Sequence, residues 1–126
     1  MNIVKTKGFE NIYEVDYFRK EFKAITDEKW KLSEPFPRYQ KWLIGRLAVL
    51  DKNPQEALHS NHFEKLNADP TIYAIRYPKS KLNPRVLYVC VEDKNIILLT
   101  AFKEKSSSDY ANAISVAQSR WKLLND

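Results

Sequence analysis

Three apolar runs in the second half of the chain constrain its fold more than any other feature. They are Ile72-Tyr73-Ala74-Ile75-Arg76-Tyr77, Arg85-Val86-Leu87-Tyr88-Val89-Cys90-Val91 and the stretch from Ile96 through Leu98, Leu99 and Phe102 to Lys105. Branched and aromatic residues fill the second and third runs almost without polar interruption, as in strands covered on both faces. Glu92-Asp93-Lys94-Asn95 between them is a short polar hairpin connection. In an antiparallel meander the end of one strand neighbours the start of the next, so Arg76 and Arg85 should meet across their hairpin. The third strand runs in the direction of the first, which brings Lys103 and Lys105 to the same rim. Lys79 and Lys81 lie on the connection between the first two strands. The alternative reading of these cations is solvated charge guarding strand ends.

A helix is expected directly after this sheet. Tyr110, Ile114, Ala117, Trp121 and Leu124 share one helical face, and Ser108 or Asp109 can cap it. In the first half, Val15, Phe18, Phe22 and Ile25 recur at helical steps with Glu14, Arg19, Lys20 and Lys23 between them. Pro35 and Pro37 then break the chain. Tyr39, Trp42, Leu43, Leu47 and Leu50 trace a second helix, which Asn53-Pro54 ends. Residues 53–70 lack sustained periodicity and read mostly as connection, with the sheet starting near Thr71. The expected architecture is an α+β domain with two N-terminal helices, a mainly antiparallel twisted sheet and a C-terminal helix.

With 126 residues the chain suits a single domain over 1–126. Lysine and arginine outnumber aspartate and glutamate by 21 to 16, a net +5 that favours acidic partners such as nucleic acid. A lone cysteine, Cys90, excludes an internal disulfide and points to a reducing compartment; its apolar setting reads as core. No apolar run spans a membrane and the opening residues do not form a signal peptide, so the cytoplasm is expected. Only two glycines occur, Gly8 and Gly45, which argues against a phosphate-cradling loop and against nucleotide cofactors. His59 and His62 lack a third ligand, so no metal site is expected. No Ser/His/Asp arrangement with a recognisable context is present.

Four motifs in register resemble the RelE/HigB family of bacterial toxins. They are Tyr73-x-x-Arg76, Arg85-Val86-Leu87-Tyr88, Leu98-Leu99-x-x-Phe102-x-x-Lys105 and Ala117-x-x-Arg120. The likeness covers residues 63 to 124, and only the helix-helix order before that. It implies a toxin of a toxin-antitoxin pair: a small endoribonuclease that cuts messenger RNA on the ribosome without a metal or small-molecule cofactor, silenced by a cognate antitoxin protein. It implies a catalytic set of Arg76, Arg85 facing the scissile phosphate, Lys105 protonating the leaving oxygen, and Tyr110 stacking on or activating the nucleotide. Lys79, Lys81 and Lys103 are the expected RNA-binding lysines. Ala74 stands where RelE has a lysine, which places the chain nearer the HigB-like, phage-derived branch, and Glu104 interrupts the paired cations after the phenylalanine. The rival reading is a ParE-like toxin that binds DNA gyrase, or a relative that only binds a partner.

The expected chemistry explains these residue types. Without a metal, RNA is cut by attack of the neighbouring 2′-hydroxyl, and the protein must align that oxygen and neutralise charge growing on the phosphate. Arginine suits the second task because its planar fork stays protonated. A lysine serving as acid or base near neutrality needs its pKa lowered by about three units, roughly 4 kcal/mol, and crowding by Arg76 and Arg85 is one route for Lys105.

Overall fold

The computed structural model describes residues 1–77 and 80–126. Six strands and four helices follow in the order β1 (Ile3–Lys5), β2 (Ile12–Val15), α1 (Phe18–Thr26), α2 (Arg38–Lys52), α3 (Pro54–Ala57), β3 (Phe63–Leu66), β4 (Ile72–Arg76), β5 (Pro84–Val91), β6 (Asn95–Lys103) and α4 (Ser107–Asn125). All six strands join one sheet in the order β1-β2-β6-β5-β4-β3. The α+β class, the mainly antiparallel sheet and the C-terminal helix stand as expected, but the two helices of the first half do not open the chain: β1 and β2 precede them and join the sheet, where β2 runs parallel to β6.

Each correction has a local cause. Val15, expected in the first helix, ends β2 and is fully buried there. Its three-residue step to Phe18 imitates a helical stripe, yet Phe18 opens α1 only after a turn. Glu14, expected on a solvent face, is also buried: Thr6 Oγ1 donates to it at 3.0 Å and Arg19 Nε at 3.0 Å. A carboxylate out of water needs such partners. Residues 53–70 hold more than connection. Asn53 accepts hydrogen bonds from the Gln55 and Glu56 amides and Pro54 fills the first helical position of α3, an arrangement proline's missing N–H permits. Phe63 then buries its ring and begins β3, the edge strand paired with β4.

The strong strands behave as their sequences demand. Every residue from Ile96 to Ala101 is buried, as are Val86 to Val89 of β5. Glu92 and Asp93 both adopt a left-handed φ of 56°, which turns β5 into β6 without a glycine. α2 has the expected limits, with Leu43, Leu47 and Leu50 wholly buried; each such side chain contributes about 1.5–3 kcal/mol by leaving water. Its Tyr39 and Trp42 are only half-buried.

α4 packs across β6 and β5 and is tied to α1 by a charged contact. Arg120 Nη1 and Nη2 each donate to the Glu21 carboxylate at 2.7 Å, and Nη1 also reaches the Leu99 carbonyl at 2.7 Å. Ser106, not Ser108 or Asp109, is the N-cap of α4. Asp109 lies three residues on and accepts the backbone N–H groups of Lys105 at 2.8 Å and Ser106 at 3.0 Å. Those hydrogen bonds hold its carboxyl below the usual aspartate range. Among the described residues no helix is long and apolar enough to cross a membrane.

Candidate active site

The adjoining ends of β4, β5 and β6 assemble a charged corner of the sheet. Arg76 and Arg85 are direct partners in the β4–β5 ladder, and Arg85 is in turn opposite Phe102 of β6. Directly opposed residues of an antiparallel pair project from the same face. Lys103 pairs with Pro84 one step further out, so it belongs to the same rim, exposed to solvent. The hairpin geometry expected for the two arginines is therefore present.

Their electrostatics differ from the expectation, because each arginine already holds a carboxylate. Arg85 Nη2 lies 2.8 Å from Glu104 Oε2, and Arg76 Nη1 lies 3.5 Å from Glu64 Oε2. Arg76 Nε and Nη2 also donate to the Asn61 carbonyl at 3.1 and 2.7 Å, which fixes the guanidinium plane. Arg85 is 13% exposed, and its Nε and Nη1 have no hydrogen-bond partner among the described residues. Shielded donors left unused cost free energy, on the order of 1–3 kcal/mol each, and are uncommon away from functional sites.

Tyr110 completes the corner. Its ring meets Phe102 edge-on with centroids 5.2 Å apart, and the Arg85 guanidinium sits 5.8 Å from the ring centre. Its hydroxyl donates to Glu64 Oε1 at 3.1 Å. Burial pushes the phenol well above its ordinary range, only partly opposed by Arg85. The hydroxyl thus stays protonated and can donate, while the ring face can stack. The ring packs against Phe102 and Arg85 while the hydroxyl reaches the Glu64 carboxylate at the rim.

Lys105 is placed otherwise than expected. It lies past β6 in the turn before α4, exposed, with its backbone N–H fixed by Asp109. Its ammonium stands near the Asp109 carboxylate, whose charged form it favours. Glu104, whose N–H donates to the Asn83 carbonyl at 3.1 Å and whose carbonyl accepts from Asn83 Nδ2 at 3.1 Å, separates it in sequence from the strand. Lys81 is exposed on the β4–β5 connection, and the expected role of Lys79 falls outside the described residues.

Sequence reading missed Glu64, Glu104 and Asn61, which anchor the two arginines. Glu64 carries no strand signal of its own, because Phe63 and Leu66 stand three residues apart instead of alternating. His59 Nδ1 pairs with Glu56 at 3.3 Å instead of with His62. Cys90 is half-buried, and burial pushes its thiol up, away from the reactive thiolate form.

Neither a curated protein nor a solved structure matches the chain. A family described as phage-derived protein Gp49-like (DUF891) matches residues 31–122, a span that holds α2, every strand of the charged corner and nearly all of α4. The chain belongs to that Gp49-like family, a family of RelE/HigB-like toxins.

Proposed function

We propose that the protein is the toxin of a type II toxin-antitoxin pair, a metal-independent endoribonuclease that cuts messenger RNA on the ribosome and acts in the cytoplasm. The observation that carries this reading is Arg85: a largely buried guanidinium with two nitrogens unused, set over an aromatic ring and beside a second arginine. A phosphate oxygen is the acceptor that such a group lacks, and charge on it grows during in-line attack by the 2′-hydroxyl. In this reading Arg85 binds the scissile phosphate once Glu104 gives way. Arg76 supports it from the neighbouring strand, and Tyr110 stacks on the base or donates its hydroxyl.

In this reading Glu64, held by Arg76 and Tyr110, takes the 2′-hydroxyl proton, and Lys105 brings a proton to the leaving 5′-oxygen. Lys81 and Lys103 contact flanking phosphates. The net +5 and the family together favour an antitoxin that supplies carboxylates to this rim.

The experiment is expression of the protein alone in growing bacteria, with 5′ ends mapped on a reporter message. New ends inside the reading frame that require translation support the nuclease. Arrested growth with intact messages and altered gyrase supercoiling would transfer the protein to the ParE-like reading. Co-purification with the product of a neighbouring gene that abolishes cleavage identifies the antitoxin; a partner that leaves cleavage unchanged counts against that part.

A further inference from the structure

Helix α2 carries two faces of different character. One buries Leu43, Leu47 and Leu50; the other aligns Arg38, Lys41, Trp42, Gly45 and Arg46 at steps of three and four residues. With His62, just before β3, and Tyr77, just after β4, this second face lines an open cleft of about 390 Å³. That volume falls within the roughly 300–1,000 Å³ typical of small-ligand sites. Its wall is aromatic: Trp42 and Tyr77 stack with centroids 5.3 Å apart, and Tyr39 meets Tyr77 edge-on at 5.8 Å. The Arg38 guanidinium lies 5.2 Å from the Tyr39 ring centre and 5.7 Å from that of Tyr77.

Three observations point to a ligand. Trp42 Nε1, Arg46 Nε and His62 Nδ1 are shielded from water yet have no hydrogen-bond partner among the described residues, and all three belong to this one cleft. Gly45 occupies a helix interior, where glycine weakens the helix, and a Cβ there would meet no atom within 4 Å. Among the described residues no acidic side chain lines the cleft, and Arg38, Lys41 and Arg46 form no ion pair. The N-terminus of α2 does not account for the anion preference, because Glu28 already accepts the Tyr39 and Gln40 N–H groups at 3.0 Å.

We infer that this cleft binds one nucleotide unit of single-stranded RNA, its base stacking on the Tyr77 and Trp42 platform and its phosphate held by Lys41 and Arg46. Cations interleaved with aromatic rings suit a polymer that offers both a planar face and a negative charge at every unit. The inference rests on the RNA-cutting reading for the identity of the polymer. Tyr77 directly follows Arg76, whose N–H donates to the His62 carbonyl at 2.7 Å. Cleft and arginine pair therefore share the end of β4, and one strand of RNA turning this corner reaches both.

The probe is a fluorescent 2′-O-methyl uridine hexamer, which lacks the attacking hydroxyl and so reports binding apart from cleavage. Anisotropy titration should show Tyr77→Ala and Arg46→Gln each weakening binding about tenfold, with Tyr77→Trp retaining it. Gly45→Leu should weaken it too while circular dichroism shows the helix intact, since the new side chain fills the cleft. Parental affinity in folded Tyr77→Ala and Arg46→Gln proteins would overturn the inference. So would a cleft that ignores the hexamer and takes a peptide of alternating Glu and Tyr, which reassigns it to a protein partner. Binding that follows this pattern in a protein unable to cut RNA would sink the nuclease reading alone.

Discussion

Two cationic regions meet at the end of β4, and they manage charge in opposite ways. At the candidate active site Arg76 and Arg85 are each held by a carboxylate, Glu64 and Glu104. In the α2 cleft Arg38 lies against two aromatic rings, and Arg38, Lys41 and Arg46 form no ion pair among the described residues. A paired arginine is oriented before the substrate arrives but must surrender its partner on binding. An unpaired one attracts anions from further away, with less geometric definition. One protein surface can thus separate capture from alignment.

The comparison is tested hardest at Arg85. Replacing it with alanine should slow single-turnover RNA cleavage about a hundredfold or more, roughly 3 kcal/mol, with far less change in binding. A folded Arg85→Ala protein that cuts at the parental rate removes the alignment half of the argument. Glu104→Gln addresses the cost of displacement. Freed from its ion pair, Arg85 should bind the uncleavable oligonucleotide about tenfold more tightly at low salt, roughly 1.4 kcal/mol, and an unchanged dissociation constant would show that Glu104 does not compete with phosphate.

Tyr110→Phe keeps the ring beside Arg85 and Phe102 but deletes the hydrogen bond to Glu64, so urea unfolding should register a loss of about 1 kcal/mol. The same residue sets a pH dependence. Its phenol is raised in the folded protein, so its contribution is complete below the unfolded value near pH 10 and fades as pH rises toward the folded one. Alkaline loss of stability should be shallower in Tyr110→Phe; Tyr88, also raised by burial, keeps it from vanishing. The smallest effects belong to the exposed lysines. Lys81→Ala and Lys103→Ala should each reduce the salt slope of oligonucleotide binding by about 0.7 and leave the saturated cleavage rate alone. A drop in that rate would mean that the rim aligns as well as attracts.

Much of the charged corner was legible because its geometry is local. The runs forming β4, β5 and β6 are dense in branched and aromatic residues, and a hairpin brings Arg76 to Arg85 whatever lies outside it. α2 was legible because leucines at helical spacing end at Asn53-Pro54. β1 and β2 were not, since strands of three and four residues carry little pattern and β2 is fixed by pairing Ile12 with the distant Ile96. β3 escaped for a similar reason, as only Phe63 among its four residues is buried. Within the site, Glu64 and Glu104 resemble ordinary surface acids until folding brings Arg76 and Arg85 against them. Trp42 and Tyr39 keep helical spacing with the leucines, but spacing does not tell that their rings face Tyr77 across a cleft.

The place of β6 also sets an order of events in time. It lies between β2 and β5, so the N-terminal hairpin has no neighbour to join until residues 95 to 103 have been made. Pairings across such a separation close slowly, because chain entropy is lost before contacts compensate for it. On a ribosome, Arg85 emerges well before Phe102, Glu104 and Tyr110 can gather around it. The corner therefore assembles late in synthesis, and a chain cut short before β6 carries the cations without the site.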